Sequence, residues 1–172
     1  MVSKTIAAAL FVSWAVHDLE EIVGTRYWRN RTLPRLRARY PTVPQSVWRR
    51  AEVDTAQMAI AVGLVAVPVG VAAIRGIRTD ARSPLFQAAV TAYGLHGVGH
   101  VAGSLLARDY TPGVLTSPLV VVPYAVWARR QLTRNGVWQP MSGRDIAVSL
   151  LAVPVIVVGA QGLARRLRRR SL

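Results

Sequence analysis

Long apolar blocks alternate with short basic segments along the chain. A helix rises about 1.5 Å per residue, so about 20 apolar residues cross the roughly 30 Å hydrocarbon layer of a membrane. The pattern predicts an all-α fold, a polytopic membrane bundle that forms a single domain over residues 1–172. Five transmembrane helices are predicted, at residues 5–24, 54–74, 84–107, 111–128 and 145–164. Prolines within these spans, which membrane helices tolerate as kinks, are Pro68, Pro118, Pro123 and Pro154.

The charge of the chain follows the same pattern. There are 22 Lys and Arg residues against 8 Asp and Glu, a net charge of +14, and no Cys. Such a charge is typical of nucleic-acid binding, but here the basic residues separate the apolar blocks, which excludes a nucleic-acid partner. We expect the basic loop 25–50 and the basic tail 165–172 to lie against anionic lipid headgroups. The absence of Cys excludes disulfides and thiolate metal sites.

The distribution of basic residues also predicts an orientation. Five spans place the two termini on opposite sides of the membrane, and more Lys and Arg residues lie on the side of the C-terminus. The positive-inside rule therefore predicts an outside N-terminus and a cytoplasmic C-terminus.

The first predicted span carries ionisable residues, which are costly in hydrocarbon unless they are paired, protonated or bound to a metal. At about 100° per residue, Glu21 stands about 40° from His17 and Glu20 about 60° to its other side, so the three share one helix face. Asp18 is displaced by about 100° and is the weaker candidate. Alternatively, the span ends near Val16 and the acids lie in a wet interface with Arg partners.

The third predicted span carries a second cluster. His96 and His100 are four residues apart and therefore share a face, and Gly99 and Gly103 have the spacing at which another helix can approach closely. Both clusters begin about 12 residues, or about 18 Å, into spans that run in the same direction. We therefore expect them to meet at one depth. Hydrogen bonding between helices without a metal is the alternative.

Imidazoles and carboxylates without a thiol suit zinc, iron or manganese, and helical bundles present such ligands at these spacings. The predicted cofactor is therefore a divalent metal. Asp54 either contributes to this site or caps the second helix. The predicted metal ligands are His17, Glu20, Glu21, His96 and His100, with Glu20 and Glu21 as candidate catalytic residues and Asp18, Asp54, Gln57 and Thr116 as supporting or substrate-contacting residues.

Several motifs, in order, resemble those of the HXXEE family of small bacterial membrane proteins, from about residue 14 to 130. The resemblance implies that His17, Glu20 and Glu21 take the positions for which the family is named, in a bacterial plasma membrane. It implies no activity, because none is established for the family. The resemblance also gives His96 and His100 as the second His pair and Pro112-Gly113 as a loop. The matching segments are His17-Asp18-Leu19-Glu20-Glu21, Asp54-Thr55-Ala56-Gln57, His96-Gly97-Val98-Gly99-His100, Tyr110-Thr111-Pro112-Gly113-Val114-Leu115-Thr116 and Pro123-Tyr124.

A looser resemblance is to intramembrane glutamate proteases of the prenyl-protein-processing type. These carry a Glu-Glu pair followed by Arg, with His residues on two later helices. In this chain Arg26 comes one residue too late, and both His residues lie in one predicted span.

Three functions remain open on the sequence. The first is a metal-dependent membrane enzyme for a lipidic or isoprenoid-like substrate that enters from the bilayer. The second is metal-free acid–base catalysis by one of the paired glutamates, as in peptide hydrolysis or polyene cyclisation. The third is a non-enzymatic protein for metal or proton permeation, or a membrane scaffold.

Overall fold

A computed structural model describes residues 2–140 and 142–170, and every regular element among these residues is helical. The predicted all-α class is thereby confirmed. Two π-helical turns, Trp28–Thr32 and Ser117–Val121, precede α2 and α6. The α-helices are α1 (Val2–Tyr27), α2 (Leu33–Arg39), α3 (Gln45–Ala51), α4 (Thr55–Arg78), α5 (Pro84–Ala107), α6 (Val122–Arg134) and α7 (Gly143–Arg170).

One helix among the described residues, α4, is long and apolar enough to cross a membrane. Pro68 lies inside it and Pro154 inside α7. The last two residues of the predicted basic tail, 171 and 172, lie outside the described residues.

Local sequence signals account for the starts of α4 and α5. The carboxylate of Asp54 accepts a hydrogen bond of 2.7 Å from the backbone N–H of Gln57, and Ser83 caps α5 in the same way through the N–H of Phe86. Such caps satisfy N–H groups that have no partner within the helix. Asp54 therefore acts as a cap, one of its two predicted roles, and it also forms an ion pair of 3.5 Å with Arg168.

The segment predicted as a basic loop, residues 25–50, is largely helical. It continues α1 through a π-helical turn into α2, and α3 follows. Pro34 lies in the first turn of α2, where proline is tolerated because the N–H it lacks would have no partner. Pro34 is therefore compatible with a helix in this segment, which the sequence predicted to be a loop.

The fourth predicted span, 111–128, begins before its helix. Residues 112–115 form a turn, in which Gly113 has a φ of +86°, a conformation that favours glycine. The π-helical turn and α6 follow it. This turn is the segment that reaches the candidate site.

The main core lies between α1, α4, α5 and α6. Ile6, Leu10 and Trp14 recur every four residues on one face of α1 and pack against Phe86 and Val90 of α5, together with residues of α4 and α6. A second, smaller cluster joins α2 and α3, and a third joins α4 and α7. The site described below continues the buried face of α1 by one further turn.

Helix packing at α5 depends on glycines other than the predicted pair. No described residue lies within 4 Å of a Cβ placed at Gly99 or Gly103, whereas one at Gly94 would lie 2.8 Å from Cβ of Ala125 and one at Gly97 would lie 2.7 Å from Cγ1 of Val121. The expectation of close approach at Gly99 and Gly103 was therefore wrong, because the face that meets α6 is the one that carries Gly94 and Gly97.

We expect Gly97→Ala to lower the thermal unfolding temperature and Gly99→Ala to raise or preserve it. Both changes improve helix propensity by about 1 kcal/mol, but at Gly97 the methyl group collides with Val121, and overpacking costs about 1–3 kcal/mol. Circular dichroism melts of the two purified variants and the wild type test the order. Equal melting temperatures for the two variants would contradict this packing.

Candidate metal centre

Four side chains converge between α1 and α5. One ligand atom from each of His17, Glu21, His96 and His100 lies within 4.8 Å of all the others. Oε1 of Glu21 is 2.9 Å from Nε2 of His100, 3.6 Å from Nε2 of His17 and 3.9 Å from Nε2 of His96. The same nitrogens of His96 and His100 are 2.8 Å apart. The two predicted clusters therefore meet.

These distances fit a metal ion. Bonds of about 2.0–2.1 Å in a tetrahedral arrangement hold ligand atoms about 3.3–3.4 Å apart, within the range spanned by the distances to Glu21. His17 is fully buried and its Nε2 has no hydrogen-bond partner among the described residues, although buried polar atoms are almost always paired. A cation among the four ligand atoms would provide that partner.

The other ring nitrogen of His17 fixes which tautomer is present. Nδ1 lies 2.7 Å from the hydroxyl oxygen of Thr116, which in turn lies 2.6 Å from Oε2 of Glu20. A hydroxyl has one proton, and an ionised carboxylate can only accept, so Thr116 donates to Glu20 and accepts from Nδ1–H of His17. The lone pair of Nε2 therefore points at the four-residue group, as metal ligation requires.

Glu20 lies outside the group of four and holds the turn before α6. Its Oε1 accepts from the Tyr110 hydroxyl at 3.0 Å and from the N–H of Leu115 at 3.2 Å. Its Oε2 accepts from the N–H of Thr116 at 2.8 Å and from the Thr116 hydroxyl. The Glu20 carboxylate thus accepts four hydrogen bonds. All four come from residues that surround the ligands.

Two glycines allow this close fit. A Cβ at Gly113 would lie 2.8 Å from Nδ1 of His100 and 2.8 Å from Cε1 of His17, so the backbone of the turn lies directly against both imidazoles. In α1, the Tyr110 hydroxyl occupies the position that a side chain at residue 24 would need. Neither Gly24 nor Tyr110 was a sequence candidate, although Tyr110 opens a segment that carries the family resemblance.

The basic segment, residues 25–50, also contacts the part of the chain that leads from α5 into this turn. Arg35 of α2 forms an ion pair of 3.0 Å with Asp109, and Arg39 donates to the carbonyl of Ala107 at 2.6 Å. The backbone N–H of Tyr110 and the guanidinium of Arg35 together lower the pKa of Asp109 below its usual range, so this carboxylate is ionised at neutral pH. Part of the basic segment is therefore engaged within the protein.

The remaining candidates lie at the edge of the site or away from it. Asp18 is buried at 6% exposure and lines a cavity beside the ligands. Gln57 donates a hydrogen bond of 2.9 Å to Gln161 and so joins α4 to α7. Asp54 caps α4, as described above. Thr116, by contrast, contacts the ligand His17 directly, at 2.7 Å.

The cavity has a volume of about 680 Å³ and lies between α1, α4, α5 and α7. Glu21, His96 and His100 form part of its wall. Most of the rest is apolar and includes Ala61, Val65, Val69, Ala89, Ala92 and Val157. Sites for small molecules are typically apolar clefts of about 300–1,000 Å³ with a few polar groups. The cavity matches that description.

Fold and site together define an all-helical protein with a buried group of three histidines and one glutamate that could hold a metal ion. The chain belongs to the family described as proteins of unknown function with an HXXEE motif, whose family model matches residues 8–128. The match includes every member of the His/Glu group. No curated protein and no solved structure matches the chain.

Proposed function

We propose that this protein is a metal-dependent membrane enzyme that acts on a lipidic substrate. The observation that carries the proposal is the convergence of three imidazole nitrogens and the Glu21 carboxylate beside an apolar cavity, whose wall includes Glu21, His96 and His100. Zinc, iron and manganese all accept such ligands. A metal ion held by these residues would be reachable from the cavity, because His96, His100 and Glu21 line it.

The exposed surface supports a membrane location. Large apolar side chains lie on the outer faces of several helices, and many are more than 60% exposed. Patches of this kind are unusual on soluble monomers. In the proposed arrangement the five predicted spans lie in a bacterial plasma membrane with the N-terminus outside, and basic residues of 25–50 and 165–172 meet anionic headgroups. Examples of the exposed residues are Val12, Val23, Leu105, Leu106, Leu119, Leu151 and Val158.

The two glutamates have different roles in this proposal. When bound, the metal supplies Lewis acidity and activates a water or oxygen species. Glu21 lines the cavity, so it is the carboxylate of the pair that a bound substrate can reach, and it is the candidate for proton transfer. Glu20 holds the turn that orients His17.

Metal analysis tests the proposal directly. We expect gently purified protein to contain about one zinc, iron or manganese ion per chain, and His17→Ala and His96→Ala to lose it. Inductively coupled plasma mass spectrometry gives the content. Wild-type protein without stoichiometric metal would contradict the proposal and favour metal-free acid–base chemistry, in which the N–H of His100 donates a hydrogen bond of 2.9 Å to Glu21.

Cysteine labelling tests the arrangement in the membrane, because the chain contains no Cys of its own. Asn30→Cys lies in the basic segment and Asn135→Cys follows α6, and both positions are exposed. In intact cells we expect a membrane-impermeant maleimide to label position 135 and to spare position 30 until the cells are opened. Labelling of both positions, or of position 30 alone, would contradict the proposed orientation.

A further inference from the structure

One carboxyl group in the cavity wall has no partner within the described protein. Asp18 is 6% exposed and lines the cavity, and it forms no hydrogen bond or ion pair with any described residue. The charge that acts on it is that of Glu21, another carboxylate, which repels it. Both oxygens of the Asp18 carboxyl are accessible, because neither is among the enclosed side-chain atoms that lack a partner in the described part of the chain. They therefore open onto the cavity.

An unpaired carboxyl group at this position points to an occupant. Burial of a polar group without a hydrogen bond costs free energy, and buried polar groups are almost always paired. Trp14, Asp18 and Glu21 all line the cavity, and their spacing of four and three residues places them on one face of α1. Asp18 thus lies about 4.5 Å along the helix from Glu21. A molecule that pairs with Asp18 would therefore lie beside the group of four ligands.

The carboxyl and imidazole groups of the wall lie toward one end of the cavity. On α5 the wall extends from Leu85 to His100, about 22 Å along the helix axis. The imidazoles are at the later end of this stretch, and the three lining residues that follow Leu85 are alanines. Asp18 belongs to the imidazole end, because the ring of the adjacent His17 packs against His96 and His100 with centroids 5.4 and 4.9 Å away. The cavity thus offers a polar end and an apolar length.

This arrangement selects among lipidic occupants by their head group. A hydrocarbon leaves the Asp18 carboxyl unpaired. An ether or ester oxygen only accepts, so it pairs with a protonated carboxyl alone, and an ammonium group only donates, so it pairs with an ionised carboxylate alone. A hydroxyl group both donates and accepts, and therefore pairs with Asp18 in either form. It is also neutral, which suits a cavity beside residues that could hold a metal cation.

We infer that the cavity binds a long-chain lipid alcohol whose hydroxyl group pairs with the Asp18 carboxyl. The inference rests on the proposed function, since it names the substrate class of the same site. Asp18 binds the head group and holds the hydroxyl beside the ligand group, and the hydrocarbon chain occupies the apolar length of the cavity.

Equilibrium binding of four probes to the purified full chain tests this inference. The probes are oleyl alcohol, its methyl ether, oleylamine and the hydrocarbon that has a hydrogen atom in place of the hydroxyl group. We expect the wild type to bind the alcohol most tightly, by about threefold to tenfold over the hydrocarbon, the effect of one hydrogen bond. Binding of any other probe as tightly as the alcohol would overturn the assignment, and so would the absence of binding.

Two changes at Asp18 distinguish pairing from a structural role. Asp18→Ala removes the carboxyl group, and we expect this variant to bind the alcohol and the hydrocarbon equally. Asp18→Asn keeps both a donor and an acceptor, and it should retain a preference for the alcohol. Both variants should fold, because each removes a buried carboxyl that has no partner to lose. A preference retained in Asp18→Ala, or lost equally in both variants, would contradict the inference.

Two variants elsewhere serve as controls. Glu52→Ala also removes a carboxylate, but Glu52 pairs with Arg37 and does not line the cavity, so all four affinities should stay unchanged. Ala89→Leu places a larger side chain in the apolar part of the wall, and it should weaken the binding of all four probes. Wild-type affinities in Ala89→Leu would show that the probes bind outside the cavity, and the inference would fail.

Metal content, measured on the same samples, separates this inference from the proposed function. We expect Asp18→Ala to retain wild-type metal content, because Asp18 is not among the four ligands. Metal-free wild-type protein that still prefers the alcohol through Asp18 would overturn the metal-dependent function alone. Metal-loaded protein without this preference would overturn the alcohol assignment alone.

Discussion

Replacement of Glu21 by Gln should abolish metal binding. Its Oε1 lies within 3.9 Å of a ring nitrogen of each of the three histidines, and it is the one anionic group in the set of four. Loss of a residue that only orients a ligand costs about 10–100-fold in metal affinity, so loss of the charged ligand itself should cost at least about 100-fold. Equilibrium dialysis against zinc, iron(II) or manganese, followed by mass spectrometry, measures the effect.

Glu20→Gln is the matched control for this experiment, because it makes the same chemical change at the adjacent residue. The hydrogen bonds of the Glu20 carboxylate reach the ligands through Thr116 and the turn that precedes α6. We therefore expect the Glu20→Gln variant to retain measurable metal affinity, reduced by no more than about 100-fold. A result in which Glu20→Gln abolishes binding and Glu21→Gln preserves it would reverse the assignment of the two glutamates.

Gly113→Ala should disrupt the site through the turn instead of through a ligand. The added methyl carbon would lie 2.8 Å from Nδ1 of His100 and from Cε1 of His17, which forces the two imidazoles or the turn to move. The φ of +86° adds about 1–2 kcal/mol of strain for any residue with a Cβ. We expect a lower unfolding temperature and a loss of at least about 10-fold in metal affinity, measured by competition with a chelator.

Gly136→Ala separates strain from contact with the site. Gly136 also has a positive φ, +64°, but in the part of the chain that the structure describes nothing lies within 4 Å of a Cβ placed there. The Gly136→Ala variant should lose about as much stability as backbone strain costs Gly113→Ala, and it should keep the metal affinity of the wild type. If both variants bind metal like the wild type, the turn does not define the position of the imidazoles.

Helical geometry was sufficient to predict the convergence of the site but not its detailed assignment. The 40° between His17 and Glu21 and the four-residue spacing of His96 and His100 placed these residues on faces that do meet. The 60° offset of Glu20 looked small enough to include it among the ligands. In the structure that offset directs its carboxylate to the backbone N–H groups of Leu115 and Thr116.

The features that the sequence could not supply depend on where a turn lies in three dimensions. Backbone N–H donors are common to all residues except proline, so nothing in the residue types around Leu115 shows that they bind Glu20. The same holds for Gly113, whose importance comes from the imidazoles packed against it.

The adjacency of Glu20 and Glu21 has a thermodynamic consequence. One carboxylate faces the ligand set and its neighbour holds the turn, and both extend from the same rigid segment of α1. If a cation binds more tightly when Glu20 holds the turn than when these hydrogen bonds are broken, it must, by linkage, stabilise the hydrogen-bonded turn by the same free energy. Metal loading should therefore be measurable at a distance, as slower hydrogen exchange at the amides of residues 110–116.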